Sequence, residues 1–512
     1  MADASNTFDF IVVGTGSAGS TLAARLSENP DTSVLALEAG GTDYPPTTSN
    51  PSLWFTLFGS PIDWGYLSVP QDALNGRVTY EPRGKAPGGS SNLYIMMHIR
   101  GHRSDYDSWA YNGCPGWSYD DCVPWFQKLE DQDDDTNPTA GKGGPIPVQN
   151  AKLHDPNPTS AAFIAACVEL GYPGTDDFNG PQMEGAGWHH VNIKDGKRWS
   201  TKEGYLDPAA GRANLTLSTN SQATELVFKG TRCTGVKYHS GGRSHTAHAR
   251  HEVIVCSGAI ESPKLLLLSG IGPAAHLNEV GIPVRLGLPG VGENFHNHVL
   301  TGVVRECTQP VPPPHLNQSE AALFCKSDPG WVGPDLQIGM VTINFDIITG
   351  QNHPNAISIL PGVVRPMSRG WVRLAGTDPL AKPQVNPNYL SAKSDLDRLV
   401  QGVKIARDIF ATKAYADWMG DELMPGPGVA SEEDLRAFVV SKADSYHHQV
   451  GSCKMGSDAM AVVDPDLAVY GIEGLRVADA SVMPTVPSGN CHAGIVMIAE
   501  RLAGKLKEKY QL

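Results

Sequence analysis

No two cysteines of this chain stand in CxxC spacing. All nine are scattered, at Cys114, Cys122, Cys167, Cys233, Cys256, Cys307, Cys325, Cys453 and Cys491. An odd, unpaired set predicts neither a zinc site nor a disulfide framework, but free thiols in a reducing compartment. No apolar run approaches the ~20 residues of a membrane-spanning helix. No basic-then-apolar leader precedes the first apolar run at Phe8, so the chain reads as cytoplasmic. Positive charge is in deficit: 40 Lys and Arg against 54 Asp and Glu leave a net charge of −14. Without a basic face, neither nucleic acid nor an anionic membrane is an expected partner. With hydrophobic content at 40% and charged content at 18%, the composition is that of a globular enzyme rather than a disordered chain. At 512 residues one ordinary core is too small, and two or three domains are expected. A homo-oligomer is compatible with all of this.

What is present begins at once. Phe8 to Val13 is a short apolar run suited to a buried parallel strand. Gly14-Thr15-Gly16-Ser17-Ala18-Gly19 follows, then a helix-like stretch with Leu22, Ala23 and Leu26. A second apolar run, Ser33 to Leu37, ends in Glu38 and Ala39. This is the βαβ dinucleotide fingerprint. Gly14 permits the tight turn, Gly16 lets backbone approach a pyrophosphate, and Gly19 lets helix pack on strand. Glu38 is the acceptor for a ribose diol. The fingerprint alone leaves NAD and FAD open.

Residues 41 to 75, rich in Pro, Ser and Thr, read as a covering loop with aromatic anchors at Trp54, Phe55, Phe58 and Trp64. Gly88-Gly89-Ser90-Ser91-Asn92 then reads as an anion-holding loop that opens a helix. Arg100-Gly101-His102 leads through Asp105-Tyr106-Asp107-Ser108-Trp109 as a polar turn into another helix. The acidic and Gly-rich stretch from 129 to 150 reads as a solvated loop. Residues 158 to 172 carry helical spacing with Gly171 as a stop. Repeated short apolar runs between 214 and 256 suggest a β-rich insertion that returns to a central sheet. Gly270 to Ala275 is a loose GxGxxA that follows a Leu-rich helix rather than a strand. Pro273 removes an N–H there, so a second nucleotide site is not expected. Residues 300 to 445 combine dense Pro, alternating apolar segments and a helical run near 399 to 410, which predicts an antiparallel sheet backed by helices.

Several of these segments together resemble the glucose–methanol–choline (GMC) oxidoreductase family. They are the opening fingerprint, Gly88 to Trp109, Ser257 to Pro273, Leu288 to His298, and Tyr446 to Gly456 with Val477 to Ile495. The resemblance implies an α/β fold, α+β overall, with a Rossmann-like FAD-binding domain and a substrate domain on an antiparallel sheet. The expected division assigns 1–155, 200–300 and 446–512 to FAD and 156–199 and 301–445 to substrate. It also implies one FAD, held non-covalently, because Leu93 stands where choline oxidase carries its flavin-linked His. The implied cofactor-binding residues are Gly14, Gly16, Ser17, Ala18, Gly19, Glu38, Ala39, Gly88, Gly89, Ser91 and Asn92. Tyr94, Ala223, Thr224, Ser257, Gly258, Asp479, Ala480, His492 and Ala493 complete that set.

Some positions depart from the family pattern. Tyr94 replaces an Asn beside the flavin, Asn297 replaces Asp, Gln449 replaces Pro, and Ser452 replaces Thr. His448 falls on the catalytic His of the family, with a neighbouring His447 that makes a slip of one position conceivable. His492, eight residues before Glu500, falls on the second catalytic position. That places the chain in the His–His subgroup, as in aryl-alcohol oxidase, rather than the His–Asn subgroup of choline oxidase. Residues 157–163, 177–180 and 214–216 are similar to bacterial L-sorbose and alcohol dehydrogenases.

The chemistry is coherent without the family. A flavin accepts hydride from an alcohol carbon, and the alcohol proton needs a neutral imidazole with a pKa near ~6.5. A second His fixes the oxygen. The expected function is therefore oxidation of a small-molecule alcohol to aldehyde or ketone, with O2 or a quinone-type acceptor reoxidising the flavin. The rivals are a hydroxynitrile lyase that keeps FAD without net redox, and a non-catalytic flavin-binding protein. No metal is expected, since adjacent His447 and His448 lack a ligand motif.

Overall fold

The computed structural model describes residues 6–345, 353 and 355–512. Strand β1 (Thr7–Val13) enters the interior with Phe10 to Val13 buried, as a parallel strand flanked on both sides requires. The chain turns at Gly14, φ 90°, into helix α1 (Ser17–Leu26), and returns as β2 (Val34–Leu37) parallel to β1. On the other side of β1 lies β3 (Arg243–Val255), whose second half pairs parallel with it. The first half of β3 instead runs antiparallel to residues 232–240, which pair with 222–229. Of the β-rich insertion expected from 214 to 256, residues 215–218 pair parallel with β2 at the edge of the parallel sheet, and 222–255 form a meander that shares its last strand with that sheet. Helix α2 (Gly258–Leu268) follows β3.

A second sheet is antiparallel throughout, in the order 419–424, 303–307, 356–363, 336–341, 321–325 and 185–188. Short strands 299–300 and 444–445 pair with each other, and 299–300 also pairs with 356–363. Helix α3 (Lys393–Phe410) backs this sheet with Leu399, Val403, Ala406, Ile409 and Phe410. The segment 371–373, expected in the same sheet, forms a separate hairpin with 384–386 and packs against α2. Strand β4 (Leu475–Val477) closes the first sheet beside β3. Helix α4 (His492–Tyr510) then packs on α1. The sequence predicts that helix to stop near Ala503. It continues because Leu502, Ala503 and Leu506 keep an apolar face buried.

Two local expectations are corrected. The Gly-Gly-Ser-Ser loop does not open an α-helix. Residues Gly89–Asn92 form one 3₁₀ turn, because Gly88 and Gly89 both adopt left-handed backbone, φ 93° and 52°. The stretch from 129 to 150 is not simply a solvated loop. Glu130 to Gln132 is a strand paired with Ile146–Asn150, and the Glu130 carboxylate is buried. Arg100 Nε donates to Glu130 Oε1 over 2.8 Å, and His98 Nε2 lies 2.9 Å from the same oxygen. Burial raises the Glu130 pKa, but the Arg100 charge and these hydrogen bonds outweigh it and bring it to about 2. Asp134 pairs with buried His190 over 3.2 Å. Acidity read along a chain cannot reveal cations contributed by distant strands.

Among the described residues no helix is long and apolar enough to cross a membrane. All nine cysteines are buried and unbridged.

Candidate functional site

A cavity of about 130 Å³ lies at the C-terminal ends of β1, β2 and β3. Strand ends in an open parallel sheet leave such a crevice, and the N-terminus of α1 opens onto it. Of the residues assigned to the cofactor, Gly14, Gly16, Ser17, Ala18, Glu38, Ala39, Gly89, Ala223, Ser257, Gly258, Asp479 and Ala480 line it. Gly19 does not. A Cβ there would sit 1.8 Å from the Gly14 carbonyl oxygen, so this glycine permits the helix–strand approach. Gly88, Asn92, Thr224 and Ala493 also lie off the cavity surface. Asn92 Nδ2 donates to the Pro87 carbonyl and Thr224 Oγ1 to the Lys237 carbonyl. Tyr66, Arg83, Ser221, Glu261 and Lys264 also line it, beyond the residues assigned to the cofactor from sequence, although Glu261 and Lys264 lie within the Ser257–Pro273 segment; Trp64 reads from sequence only as an aromatic anchor.

Glu38 is buried and accepts from the Thr15 N–H and hydroxyl on one oxygen and from the Gly40 N–H on the other, each at 2.9 Å. Burial raises its pKa and these bonds oppose the rise. Oε1, which accepts only from Gly40, retains a second lone pair, whereas both of those on Oε2 are taken by Thr15. Asp479 accepts from the Gly258 N–H at 2.8 Å and the Ser262 hydroxyl at 2.6 Å, tying the start of α2 to the turn after β4. The donor set fits an FAD. The two glycine turns pack closely at the cavity wall, since a Cβ on Gly89 would sit 2.5 Å from Gly16 Cα.

A second cavity, of about 180 Å³, adjoins the first through Ser17, Arg83, Ser90 and Ile495, which line both. Its walls carry Trp54, Phe58, Tyr80, Tyr94, Phe345 and Tyr446. The predicted aromatic anchors divide, with Trp54 and Phe58 here and Trp64 over the nucleotide cavity. Ser91, His447, His448 and His492 also line this second cavity.

His448 is held at both ring nitrogens. Nδ1 lies 3.0 Å from His298 Nδ1 and Nε2 lies 3.1 Å from Asn490 Nδ2. Its backbone N–H donates to Asn297 Oδ1 over 2.7 Å. Burial pushes its pKa well below the ordinary histidine value, and His298, His447 and Arg83 push the same way. His492 stands at the first turn of α4 with neither ring nitrogen hydrogen-bonded. Its ring lies 4.6 Å from that of Tyr94, and burial, helped by His98, holds it at about 3. Both imidazoles are therefore neutral near pH 7. A buried imidazole without a partner costs about 1–3 kcal/mol unless a ligand supplies one.

Tyr94, at the position where the family pattern has Asn, presents its ring to the cavity. Its hydroxyl lies 2.9 Å from the Trp199 carbonyl and 3.2 Å from Asn192 Oδ1. His447 differs from its neighbour: it adopts φ 66°, its Nδ1 has no partner, and its ring meets Phe58 edge-on at 5.2 Å. Neither His298 nor Asn490 is visible as functional in a single sequence, since only the fold brings them to His448.

Residues 8–300 match the N-terminal domain of the GMC oxidoreductase family and residues 366–499 its C-terminal domain. The chain is 39% identical over 545 residues to the mitochondrial choline dehydrogenase of Homo sapiens, covering 99% of this chain and 91% of that one. It is 40% identical over 534 residues to the oxygen-dependent choline dehydrogenase of Yersinia pseudotuberculosis, covering 98% and 94%. The crystal structure of pyridoxine 4-oxidase from Mesorbium loti superimposes with a TM-score of 0.93 at 34% identity, covering 98% and 99%. Two adjoining cavities, one built for a dinucleotide and one carrying a neutral His pair, agree with these likenesses. The chain belongs to the GMC oxidoreductase family and is an FAD-dependent enzyme that oxidises the CH–OH group of an alcohol.

Proposed function

We propose that His448 is the general base and His492 the second contact to the substrate oxygen, acting on an alcohol that carries a cationic group. The observation that carries the reading is two neutral histidines on one cavity wall, beside the nucleotide cavity. FAD, when bound, supplies the hydride acceptor. The protein's part is proton handling and positioning. His298 is buried beside His448, and burial holds its imidazole at about 3, neutral at pH 7. With the His298 proton on Nε2, its Nδ1 accepts from His448 Nδ1–H, and the His448 Nε2 lone pair, toward which the Asn490 amide donates, takes the alcohol proton when the substrate hydroxyl displaces that bond. His492 offers its one N–H to the oxygen as charge develops on it. The aromatic wall excludes water, so these bonds act at low dielectric. We take His448 rather than His447 as the base because His448 is held at both ring nitrogens and His447 is not.

Asp444 supports the cationic group. Among the described residues it is the one carboxylate on the lining of the substrate cavity, which also carries six aromatic side chains and Arg83. Burial raises its pKa, and the opposing cation, Arg77, is hydrogen-bonded to the Val440 and Ala443 carbonyls. An acid among aromatic faces suits an ammonium head. Choline, the substrate named for two of the relatives, has that form. We divide the chain as the sequence suggests, with 1–155, 200–300 and 446–512 around FAD and 156–199 and 301–445 around substrate. We place it in the cytoplasm, where its nine thiols remain reduced, and assign reoxidation to O2 or a quinone-type acceptor.

The test is anaerobic mixing of the yellow protein with choline and with its neutral isostere 3,3-dimethyl-1-butanol, following the visible flavin band. Choline is expected to reduce the flavin at least tenfold more efficiently, corresponding to about 1.4 kcal/mol. Equal efficiencies would refute the cationic specificity. Admitting air afterwards separates O2 from another acceptor.

A further inference from the structure

Two of the positions that depart from the family pattern, Asn297 and Gln449, converge on one buried group. Glu81 is fully buried, and four donors point at its carboxylate. Tyr389 Oη donates to Oε1 over 2.9 Å and Thr79 Oγ1 over 3.0 Å. Ser445 Oγ donates to Oε2 over 2.9 Å, and Gln449 Nε2 donates to the same oxygen. Asn297 Nδ2 in turn donates to Ser445 Oγ over 2.8 Å and to Tyr389 Oη. Burial raises the Glu81 pKa, and the bonds from Gln449, Tyr389 and Ser445 oppose it. As placed, the four donors meet a carboxylate that only accepts; a protonated Glu81 would need the Gln449 amide turned over.

From this hub two links run to the histidines. The His447 N–H donates to Ser445 Oγ over 3.1 Å, and the His448 N–H donates to Asn297 Oδ1 over 2.7 Å. The His447 carbonyl is clamped by Arg83 Nη2 at 2.7 Å. His447 sits in left-handed backbone, φ 66°, which a non-glycine residue keeps only when its surroundings over-determine it. That turn sets where the next residue, His448, points. Glu81 itself does not line the substrate cavity and touches neither imidazole; its partners Ser445 and Gln449 do line it, and its link to His448 runs through them and the backbone.

We propose that Glu81 is a positioning residue for the oxidation: through Ser445, Gln449 and Asn297 its carboxylate holds the reversal at residues 445–449 that aims His448. This rests on the reading of His448 as the base. A displacement of about 1 Å in a reacting group can cost on the order of 10²-fold in rate. Glu81→Ala is therefore expected to lower the limiting rate of flavin reduction by about 10- to 100-fold. Apparent alcohol affinity stays within about threefold, because no cavity-lining side chain is removed. Glu81→Gln is the conservative rescue. Its amide can pair with the Gln449 Oε1, which has no partner, if the Gln449 amide turns over. Its rate is expected within about threefold of the parent.

The experiment combines anaerobic stopped-flow reduction with nitrogen NMR of histidine-labelled FAD-bound enzyme, the His448 ring signals being identified by their loss in His448→Ala. One sharp tautomer is expected in the parent and in Glu81→Gln, and an averaged or split set in Glu81→Ala. If Glu81→Ala fails to fold, Ser445→Ala, which removes only the shared hydroxyl, is expected to show the same slowing and averaging to a smaller degree. Unchanged reduction and unchanged His448 signals in these variants overturn the proposal, as does Glu81→Gln being as slow as Glu81→Ala. If His448→Ala itself reduces flavin at the parental rate, the base assignment has failed instead.

Discussion

Two alanine substitutions in the first glycine turn separate packing from ligand binding. At Gly19 a Cβ would lie 1.8 Å from the Gly14 carbonyl oxygen and 3.2 Å from Cys256 Cβ. Contacts under 3.0 Å are essentially never made by real Cβ atoms, and the nearest neighbour here is backbone, so α1 and β1 must separate by more than an ångström. Overpacking of this kind costs about 1–3 kcal/mol, and an unyielding backbone puts Gly19→Ala at the upper end. The better helix propensity of Ala recovers up to about 1 kcal/mol, leaving a net loss near 2 kcal/mol. Gly16 is different. It caps α1 with φ −69°, and its Cβ position has only Gly89 Cα within 4 Å, at 3.8 Å. Gly16→Ala loses about 0.5–1 kcal/mol as an N-cap and regains about 0.4–1 kcal/mol from a stiffer unfolded chain. Its apoprotein stability is therefore expected to stay within about 0.5 kcal/mol of the parent. The methyl would occupy the space where a pyrophosphate approaches, so FAD affinity should fall by at least about 10²-fold, or about 2.7 kcal/mol. Urea unfolding of the two apoproteins and fluorescence titration with FAD measure both quantities. Gly16→Ala with parental FAD affinity, or as unstable without FAD as Gly19→Ala, would refute the assignment of the turn to the nucleotide.

Further outcomes follow from the same geometry. His448→Ala is expected to slow flavin reduction by at least about 10²-fold, the contribution of a general base, with FAD content unchanged; near-parental reduction in stopped flow would sink the base assignment. His189 is held at about 4, and His298, His447 and His492 at about 3, all by burial. In the unfolded chain these groups bind protons near pH ~6.5 while the folded protein does not, so stability rises with pH up to that point. Each contributes a loss of up to about 1.4 kcal/mol per unit as pH falls below ~6.5 toward its folded value. Thermal unfolding at pH 7.5 and pH 5.5 should show a clearly lower midpoint at pH 5.5; equal midpoints would count against four buried neutral imidazoles.

What the sequence alone determined is what short-range chemistry encodes. The turn from Val13 to Gly19 needs its glycines because backbone passes backbone within a few residues, and the acid at Glu38 follows one strand later. The antiparallel substrate sheet and helix 393–410 were legible in their apolar periods, which reflect one face against a core. His448 and His492 were legible only through their motif neighbours.

Tertiary structure decided the rest. Glu130 read as a solvated acid because nothing along the chain announces that Arg100 and His98 close over it. The partners of His448 come from the loop before the second sheet and from the turn before α4. Trp54, Asp444 and Phe345 reach one cavity from three separate segments. Glu81 lies in a two-residue strand with no pattern of its own, yet gathers donors from residues 79, 389, 445 and 449. Local propensity and spacing fix which residues share a turn or a face. Which distant side chains must pair is set by the cost of burying a polar group alone, and that cost exists only once the interior has formed.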